Sequence, residues 1–464
     1  MRLIKILFVS VLIGSLTTSC LIRKDYTRTV EIDNDQLYRI QDEVDTVANF
    51  ANIAWSEYFQ DSLLRNYIQQ GITNNFDVRI ALENVKIAES LFKQGKMAQM
   101  PTINGNLGAS YQKNSPNSAF GSVFPDQWNY DVTANITWEA DIWGKLKATT
   151  ELSKNNYLQQ QEVKKAVISN LVSQIAFNYY RLIGFDKQKE ILLKTITSRE
   201  ESLETTKALY GSGELTLVAV KQSEALLANS KLLLVEAEKQ AQLSENVISF
   251  LMGIPGQEVQ RDTTFHDRFD FKLDVGVPLQ LLENRPDVKA AEYNLISAFE
   301  RVNISKSNFY PSVSISLNGG LQSVEIQDWF NPQSFMFNIL GQMTQPIWNK
   351  RQIKTDYEIT QAEERKALLN FQQQILFAGQ EVSNSVLVIN KQNLIIENQL
   401  EVCDAYRFAV DYSQDLLSSG SANYLEVITA RQNLLQAELV LVDNELIKIT
   451  EYIKLYNALG GGWN

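Results

Sequence analysis

Residues 310–321, YPSVSISLNGGL, alternate apolar and polar side chains along the chain. Val313, Ile315 and Leu317 are apolar, and the positions between them carry serine. Successive side chains of a β-strand point to opposite faces of its sheet. The alternation therefore predicts a strand with one apolar face and one polar face.

This stretch has an earlier counterpart at residues 100–110, MPTINGNLGAS, and the two belong to a repeat that covers most of the chain. Three pairs of identical residues lie 210 positions apart: Pro101 and Pro311, Asp77 and Asp287, and Leu107 and Leu317. Two pairs of glycines lie 207 positions apart: Gly213 and Gly420, and Gly253 and Gly460. A nearly constant offset predicts a chain built from two homologous halves.

Each half has the same predicted order: a helix, a hairpin of two strands, a long helix, a glycine turn and a second long helix. The mature chain then divides into an arm, a first repeat, a linker and a second repeat, at residues 20–60, 61–256, 257–280 and 281–464. The four strands are expected near residues 102–112, 128–138, 312–322 and 334–345. Trp55 and Tyr58 are the expected docking point of the arm. The predicted fold class is mainly α with a smaller β portion.

The helical regions are long and carry regular apolar positions. A region near residues 146–208 contains no proline and repeats apolar residues every four positions, at Val163, Val167, Leu171 and Ile175. A helix of about 60 residues spans about 90 Å, which is far longer than most globular helices. In the next helix, apolar residues lie seven or fourteen positions apart, at Ala219, Leu226, Leu233 and Val247. This spacing predicts coiled-coil packing against a neighbouring helix. Asp77 is expected to cap the second helix of the first repeat.

The N-terminus, MRLIKILFVSVLIGSLTTSC, has a basic start, an apolar run and small residues before a cysteine. These features predict a signal peptide over residues 1–19, and the apolar run is too short to span a membrane. The residues before Cys20 resemble a bacterial lipobox, which implies a diacylglycerol and an N-acyl chain on that cysteine. Several acyl chains anchor a protein stably, at about 0.8 kcal/mol per buried CH₂. A plain signal peptide with an incidental cysteine is the alternative.

The composition argues against several classes of protein. A net charge of −11 disfavours nucleic acid as a partner, because phosphate groups require a basic surface. The one histidine, His266, lies in the predicted linker, and the cysteines are Cys20 and Cys403. These counts leave no histidine-based triad, no cluster of metal ligands and no disulfide framework. Nucleotide-binding glycine motifs are missing from the sequence, so we expect neither an enzyme nor a cofactor. Cys403 is expected to pack within a helix.

Four amphipathic strands of about ten residues match the thickness of a membrane, but they are too few to close a barrel. An open sheet edge cannot face lipid, so several chains would have to combine their strands. Aromatic residues at strand ends resemble the girdles of outer-membrane barrels, at Trp128, Trp138 and Phe335. A small soluble sheet at the end of a helical stalk is the alternative.

Three stretches resemble TolC-type outer-membrane factors: GVPLQLLENRPDVKAAEYNL at residues 276–295, the strand FYPSVSISLNGGL, and the ending LYNALGGGWN. They are most similar to the lipoprotein branch that serves resistance-nodulation-division (RND) efflux pumps. The resemblance implies a homotrimer that shares a twelve-stranded β-barrel in the outer membrane of a Gram-negative bacterium and a twelve-helix α-barrel in the periplasm. It also implies two partners, a periplasmic adaptor and an inner-membrane RND pump.

The resemblance assigns site residues as well. Turns between the long helices form the periplasmic tips that contact the adaptor, here Gly211, Ser212, Gly213, Ser419, Gly420 and Ser421. The pore constriction follows the second turn, at Tyr424, Leu425 and Glu426. A ring of leucine resists water and a ring of glutamate acts on cations. Relatives often carry aspartate where Thr429 stands, so a second acidic ring is not expected here. Ordinary turn chemistry and a solvated helix face are the alternative explanations.

Two functions fit these observations. The first is a passive exit channel of a tripartite efflux system, gated at its periplasmic end. The second is a lipid-anchored trimeric coiled coil, such as a stalk or an adhesin. Within the first, the cargo can be drugs, metals or, in a type I secretion channel, proteins. The LGGGW ending favours efflux linked to a pump.

Overall fold

The computed structural model describes residues 22–28, 53–117, 121, 126–262, 285–421 and 423–463. The predicted signal peptide, Cys20 and His266 lie outside these residues. The helices are α1 Trp55–Tyr58, α2 Ser62–Asn74, α3 Phe76–Lys96, α4 Lys145–Gly211, α5 Leu217–Leu251, α6 Pro286–Ser307, α7 Gln352–Ser418 and α8 Tyr424–Ala458. The strands are β1 Thr102–Gln112, β2 Gln127–Glu139, β3 Ser312–Ser323 and β4 Phe335–Thr344. Short 3₁₀ turns cover Met97–Gln99, Ile326–Asp328 and Pro332–Ser334.

The long helices of the two repeats match in length. Helices α4 and α7 have 67 residues each, and α5 and α8 have 35 each. At about 1.5 Å per residue, these helices are about 100 Å and about 50 Å long. Within the described part of the chain, no helix combines the length and the apolar composition that a membrane span requires.

The first compact unit, Met1–Val30, Val85–Gln160 and Ala291–Phe371, contains the sheet. Its strands lie in the order β1-β2-β3-β4, and every neighbouring pair is antiparallel. Each strand begins and ends within one residue of the bounds that alternation predicted. Pairing of β2 with β3 joins the hairpin of the first repeat to the hairpin of the second.

The register of the sheet places like residues beside one another across all four strands. On one face lies the apolar row, Ile103, Ile136, Leu317 and Ile339. One residue further along β1, on the opposite face, lies the asparagine row, Asn104, Asn135, Asn318 and Asn338. Because neighbours in a strand point to opposite faces, the two rows divide the sheet into an apolar side and a polar side.

The second compact unit comprises Glu31–Asn84, Gln161–Ala290 and Gln372–Asn464. Tyr58 is buried in its core, where the ring stacks on Tyr456 with centroids 4.0 Å apart. The Tyr58 hydroxyl donates to the backbone oxygen of Tyr452 at 2.9 Å, which satisfies its polar end. Trp55 packs at the edge of the same core. The predicted docking point of the arm therefore lies in the core.

Helix α5 shows the predicted spacing of seven, but the residues buried within the chain are not the predicted ones. They follow two neighbouring series, Ser223, Ser230, Ala237, Ser244 and Leu251, and Val220, Ala241 and Ile248. Val247, from the predicted set, is 42% exposed. Serine and alanine occupy most of the buried positions, and such small side chains let helices approach closely.

Asn75 joins the start of α3 to the end of α5. Its side-chain amide donates to the carbonyl oxygen of Leu251, the last residue of α5, at 2.9 Å. Its own Oδ1 accepts hydrogen bonds from two amides in the first turn of α3, so Asn75 caps that helix. The prediction that Asp77 is the cap is wrong, because Asp77 is already the second residue of the helix.

Arg285 makes the corresponding joint in the second repeat, at the start of α6. Its Nη1 donates to the carbonyl oxygen of Ala458, the last residue of α8, at 2.9 Å. The guanidinium also pairs with Asp287 at 2.6 Å and with Glu381 at 2.8 Å. Gly460, with φ of +90°, packs on the Arg285 backbone, where a Cβ would lie 3.3 Å from the Arg285 Cα. The RPDV and LGGGW motifs thus meet at this joint.

Cys403 is buried in α7 and forms no disulfide. Burial raises the pKa of its thiol, which keeps the sulfur protonated at neutral pH. The predicted packing of Cys403 within a helix is therefore confirmed.

Candidate functional site

The turn between α4 and α5 reverses the chain at Gly213, whose φ of +82° is left-handed. The amide of Glu214 donates to the carbonyl oxygen of Leu209 at 2.9 Å, and the Gly213 amide donates to that of Tyr210 at 3.0 Å. This is a Schellman motif, in which a glycine after the helix lets the chain satisfy the last carbonyl groups.

The turn between α7 and α8 has the same construction at Gly420, whose φ is +72°. The amide of Ser421 donates to the carbonyl oxygen of Leu416 at 2.8 Å, and the Gly420 amide donates to that of Leu417 at 3.0 Å. The repeat therefore preserves the turn's backbone bonds as well as its glycine.

All the predicted tip residues are exposed, namely Gly211, Ser212, Gly213, Ser419, Gly420 and Ser421. A Cβ added at Gly211, Gly213 or Gly420 would meet no atom within 4 Å among the described residues. The backbone of both turns is thus open to close approach by another molecule.

Alanine substitutions at two glycines of the first turn are expected to have different effects on stability. Gly213→Ala places a Cβ in the left-handed region and should destabilise the protein by about 1 kcal/mol. Gly211→Ala is the matched control, because Gly211 ends α4 without a positive φ. It should leave stability unchanged or raise it by about 0.5 kcal/mol. Chemical denaturation of the detergent-solubilised protein measures both, and equal effects would contradict this account.

Helix α8 begins after a capping residue and presents two different faces in its first turns. Asn423 accepts a hydrogen bond from the amide of Leu425 at 3.2 Å. Tyr424 is buried, whereas Leu425, Glu426 and Thr429 are exposed. The structure therefore places two of the three predicted constriction residues on an open face and turns the third inward.

The Tyr424 hydroxyl lies among three other hydroxyl groups within the second unit. It accepts a hydrogen bond from Thr206 on α4, and lies 3.2 Å from Ser202 Oγ and 2.9 Å from Ser223 Oγ on α5. Tyr424 therefore ties the first turn of α8 to both helices that meet at the other turn.

Two arginines beside Tyr424 were missed by the sequence analysis. Arg199 of α4 is buried. Arg431 lies seven residues after Tyr424 in α8, so Arg431 and Tyr424 lie on the same face of that helix. That spacing of seven was the available signal for Arg431. Nothing in the sequence marked Arg199, because arginine on a long helix is usually exposed. Among the described residues, no group of acidic, histidine and cysteine side chains is arranged to hold a metal ion.

The chain matches the family model for outer membrane efflux proteins twice, over residues 67–254 and 277–461. The two matched segments contain both Schellman turns and the first turns of α8. Together they cover most of the chain, in the two halves that the internal repeat predicted.

Several relatives align along most of the chain. The cation efflux system protein CusC of Escherichia coli O6:H1 is 25% identical over 448 residues, covering 96% of both chains. The probable outer membrane lipoprotein SilC of Salmonella typhimurium is 24% identical over 421 residues, covering 90% of both. The solvent efflux pump outer membrane protein SrpC of Pseudomonas putida is 24% identical over 411 residues, covering 88% of this chain and 87% of its own.

Solved structures have the same fold. The crystal structure of CusC superposes with a TM-score of 0.85 at 24% identity, covering 96% of this chain and all of that one. The outer-membrane channel OprN superposes with a TM-score of 0.87 at 21% identity, again over 96% of this chain and all of that one. The predicted fold class, outer-membrane location and role in efflux agree with the family match. The chain belongs to the outer membrane efflux protein family.

Proposed function

We propose that this chain forms the passive exit channel of a tripartite efflux system. In this proposal, small molecules pass from the periplasm to the exterior after the channel docks to a periplasmic adaptor and an RND-type pump. The observation that carries the proposal is the four-stranded sheet, because its apolar row and its asparagine row separate a lipid-compatible face from a water-compatible face. The channel itself supplies no energy, so transport depends on the pump.

The proposed assembly is a homotrimer with a shared β-barrel and a shared α-helical tunnel. Strands β1 and β4 are the two edges of the sheet, and each presents strongly exposed apolar residues, such as Leu107 (75% exposed) and Phe335 (66% exposed). In a membrane, an open edge leaves backbone amides and carbonyls without partners. Pairing β1 of one chain with β4 of the next satisfies these groups, and three chains provide twelve strands.

We also propose an acyl anchor on Cys20. The described segment that follows it, residues 22–28, is fixed to α6 by a buried ion pair between Arg23 and Glu300 at 2.6 Å. The backbone amide of Lys24 donates to Asn303 Oδ1 at 3.2 Å, and Asn303 Nδ2 donates back to the Lys24 oxygen at 3.0 Å. These contacts hold the chain beside its anchor point. Mass spectrometry of the purified protein tests the anchor, and an unmodified Cys20 in the mature chain would refute it.

The two Schellman turns are the proposed contacts with the adaptor. Their exposed, uncovered backbone suits close packing against another protein. A photo-crosslinking residue at position 211 should capture a periplasmic adaptor in living cells. Capture by an equivalent residue at exposed position 250, but not at 211, would refute this assignment.

Leu425 and Glu426 are proposed to form the constriction, and Tyr424 to hold it in position. The first two are exposed in the first turn of α8, while the Tyr424 hydroxyl is bonded inside the unit. In a trimer, three copies of Leu425 resist water and three copies of Glu426 concentrate negative charge. The proposed gate therefore consists of a ring of Leu425 and Glu426 side chains and of the Tyr424 hydrogen bonds that hold the ring in position.

Single-channel conductance in a planar bilayer tests the channel and its constriction together. Wild-type trimers should conduct weakly, and the double variant Leu425→Ala with Glu426→Ala should conduct several-fold more, because the ring is widened and loses charge. Gln432→Ala is the matched control, since it is exposed seven residues after Leu425 on the same helix face.

The alternative explanations predict different conductance recordings. A folded trimer that inserts but whose conductance is identical in all three proteins would place the constriction elsewhere. A protein that never inserts would favour the lipid-anchored coiled coil over the channel.

A further inference from the structure

Arg199 carries a buried positive charge within the second unit. Its residue surface is 6% exposed. Its Nη1 donates to the carbonyl oxygen of Leu226 at 2.5 Å and to Ser230 Oγ at 2.7 Å. Both partners are neutral, and Nε and Nη2 make no hydrogen bond with the described residues. A buried guanidinium without a counter-charge is costly, because an ion removed from water loses its hydration.

The neighbouring charge of Arg431 increases that cost. Arg431 lines the same cavity, donates to the backbone oxygen of Ser198 at 3.5 Å and to Gln414 Oε1 at 2.8 Å, and carries the same sign. No carboxylate of the described residues pairs with either arginine. Burial and the Arg431 charge lower the pKa of Arg199. The cluster therefore holds two positive charges that no carboxylate in the described part of the chain neutralises.

The cavity between these arginines is small and has a mixed lining. Its volume is about 20 Å³. Ser202, Ser223 and Tyr424 contribute polar groups to the lining, and Leu226 and Ile428 contribute apolar ones. A volume of about 10–15 Å³ holds one water molecule, so this cavity admits a single monatomic species. Phosphate and sulfate are too large for it.

We infer that this cavity binds one halide ion, chloride under physiological conditions, between Arg199 and Arg431. The two positive charges require a negatively charged ligand, and the small volume of the cavity restricts that ligand to a monatomic ion. Arg199 and Arg431 both line the cavity, and guanidinium groups form strong, charge-assisted hydrogen bonds with anions. The apolar walls lower the local polarity, which strengthens the attraction between the ion and the two guanidinium groups.

The halide site has a consequence for the gate that rests on the proposed function, whereas the binding itself does not. Tyr424 lines the cavity and also ties the first turn of α8 to α4 and α5. Any movement that withdraws Tyr424 opens the cavity and releases the ion. By linkage, a bound halide stabilises the arrangement in which Tyr424 is bonded.

Bromide replaces chloride in such sites and scatters X-rays anomalously, so crystals of the full, acylated protein soaked in sodium bromide provide the direct test. The expected result is one anomalous peak in the cavity of each chain. A water molecule in the cavity at saturating bromide, or a carboxylate from a neighbouring chain paired with Arg199, would overturn the inference.

Chlorine NMR provides the solution test. Wild-type protein in detergent should broaden the chloride resonance, and added bromide should remove the excess linewidth by competition. Arg199→Gln should lose most of the broadening. The matched control is Arg407→Gln, because Arg407 is half-exposed and already paired with Asp404 and Glu438.

If Arg199→Gln does not fold, two measurements on the wild-type protein still test the halide site. They are the loss of chloride linewidth on addition of bromide and the anomalous peak in the bromide-soaked crystal. Broadening that bromide leaves unchanged, or that Arg407→Gln reduces as much as Arg199→Gln, would count against a specific site. Neither measurement depends on conductance, so failure of the halide site and failure of the channel proposal are separable.

Discussion

Replacing Arg285 with methionine is expected to lower the free energy of unfolding by about 2–4 kcal/mol. Arg285 is 5% exposed, and it bonds Asp287, Glu381 and the last carbonyl group of α8. Its removal leaves two carboxylates and a helix end without their common partner. The expected loss is below that of a fully buried pair, because the side chains of Asp287 and Glu381 are 33% and 37% exposed and keep some hydration.

Arg301→Met provides the matched control for this measurement. Arg301 lies on the same helix, α6, and its ion pair with Glu363 spans 3.9 Å with both side chains about half exposed. Exposed pairs contribute about 0–1 kcal/mol, so this variant should change little. Guanidinium denaturation of both variants in detergent gives the comparison. Equal losses would show that Arg285 acts only as a surface charge.

The effect of Arg285→Met should depend on pH in a defined direction. Burial raises the pKa of Asp287, but the hydrogen bond and charge of Arg285 outweigh burial, so the pKa in the folded protein lies below the ordinary value. The resulting stability is fully present above the unfolded pKa of about 3.9 and is lost as pH falls through the folded value. The gap between wild type and variant should therefore be largest near neutrality and narrow below about pH 4. A gap that widens on acidification would contradict this assignment.

Gly320→Ala is expected to break the pairing between the two hairpins. An alanine Cβ at this position would lie 2.0 Å from the carbonyl oxygen of Val132 and 2.7 Å from the Cα of Thr133. Both are backbone atoms of β2, so relief requires the central strands to separate. Forced overpacking of this kind costs about 3 kcal/mol or more. Because β2 and β3 join the repeats, the sheet should lose its order as a whole.

Gly341→Ala is the control for the sheet, since a Cβ there meets no described atom within 4 Å. Gly341 lies in β4, and its cross-strand neighbour is Ile315. The yield of detergent-resistant trimer in outer-membrane extracts measures both variants. Gly320→Ala should deplete the trimer and Gly341→Ala should not. Normal yield for Gly320→Ala would mean that β2 and β3 tolerate a wider spacing.

Features whose chemistry repeats along the chain were predictable from sequence. The strands follow from strict alternation, because only a pleated strand presents every second residue to one face. The turns follow from Gly213 and Gly420, because a left-handed residue that ends a helix is usually glycine. Both signals are local, and both occur twice, so each repeat supports the other.

Features that depend on packing were harder to predict. The buried face of α5 carries Ser223, Ser230 and Ser244, and serine gives no hydrophobic signal although it suits a close seam between helices. The cap of α3 is Asn75 rather than Asp77, because both residue types cap helices and only the chain's path decides between them. Tyr424 followed from resemblance, but its inward direction and its proximity to Arg199 depend on contacts between helices far apart in sequence.

The asparagine row affects which register the strands adopt when they pair. A slip of one residue between β1 and β2 would set Asn104 opposite Ile136 or Ala134 instead of Asn135, and would turn amide groups toward the apolar side. In hydrocarbon, an amide without a hydrogen bond costs about 2–7 kcal/mol, so each misaligned pair carries its own penalty. The same error would be penalised again at Asn318 and Asn338. The row thus encodes the register of the whole sheet, because every misaligned pair of strands is less stable than the aligned one.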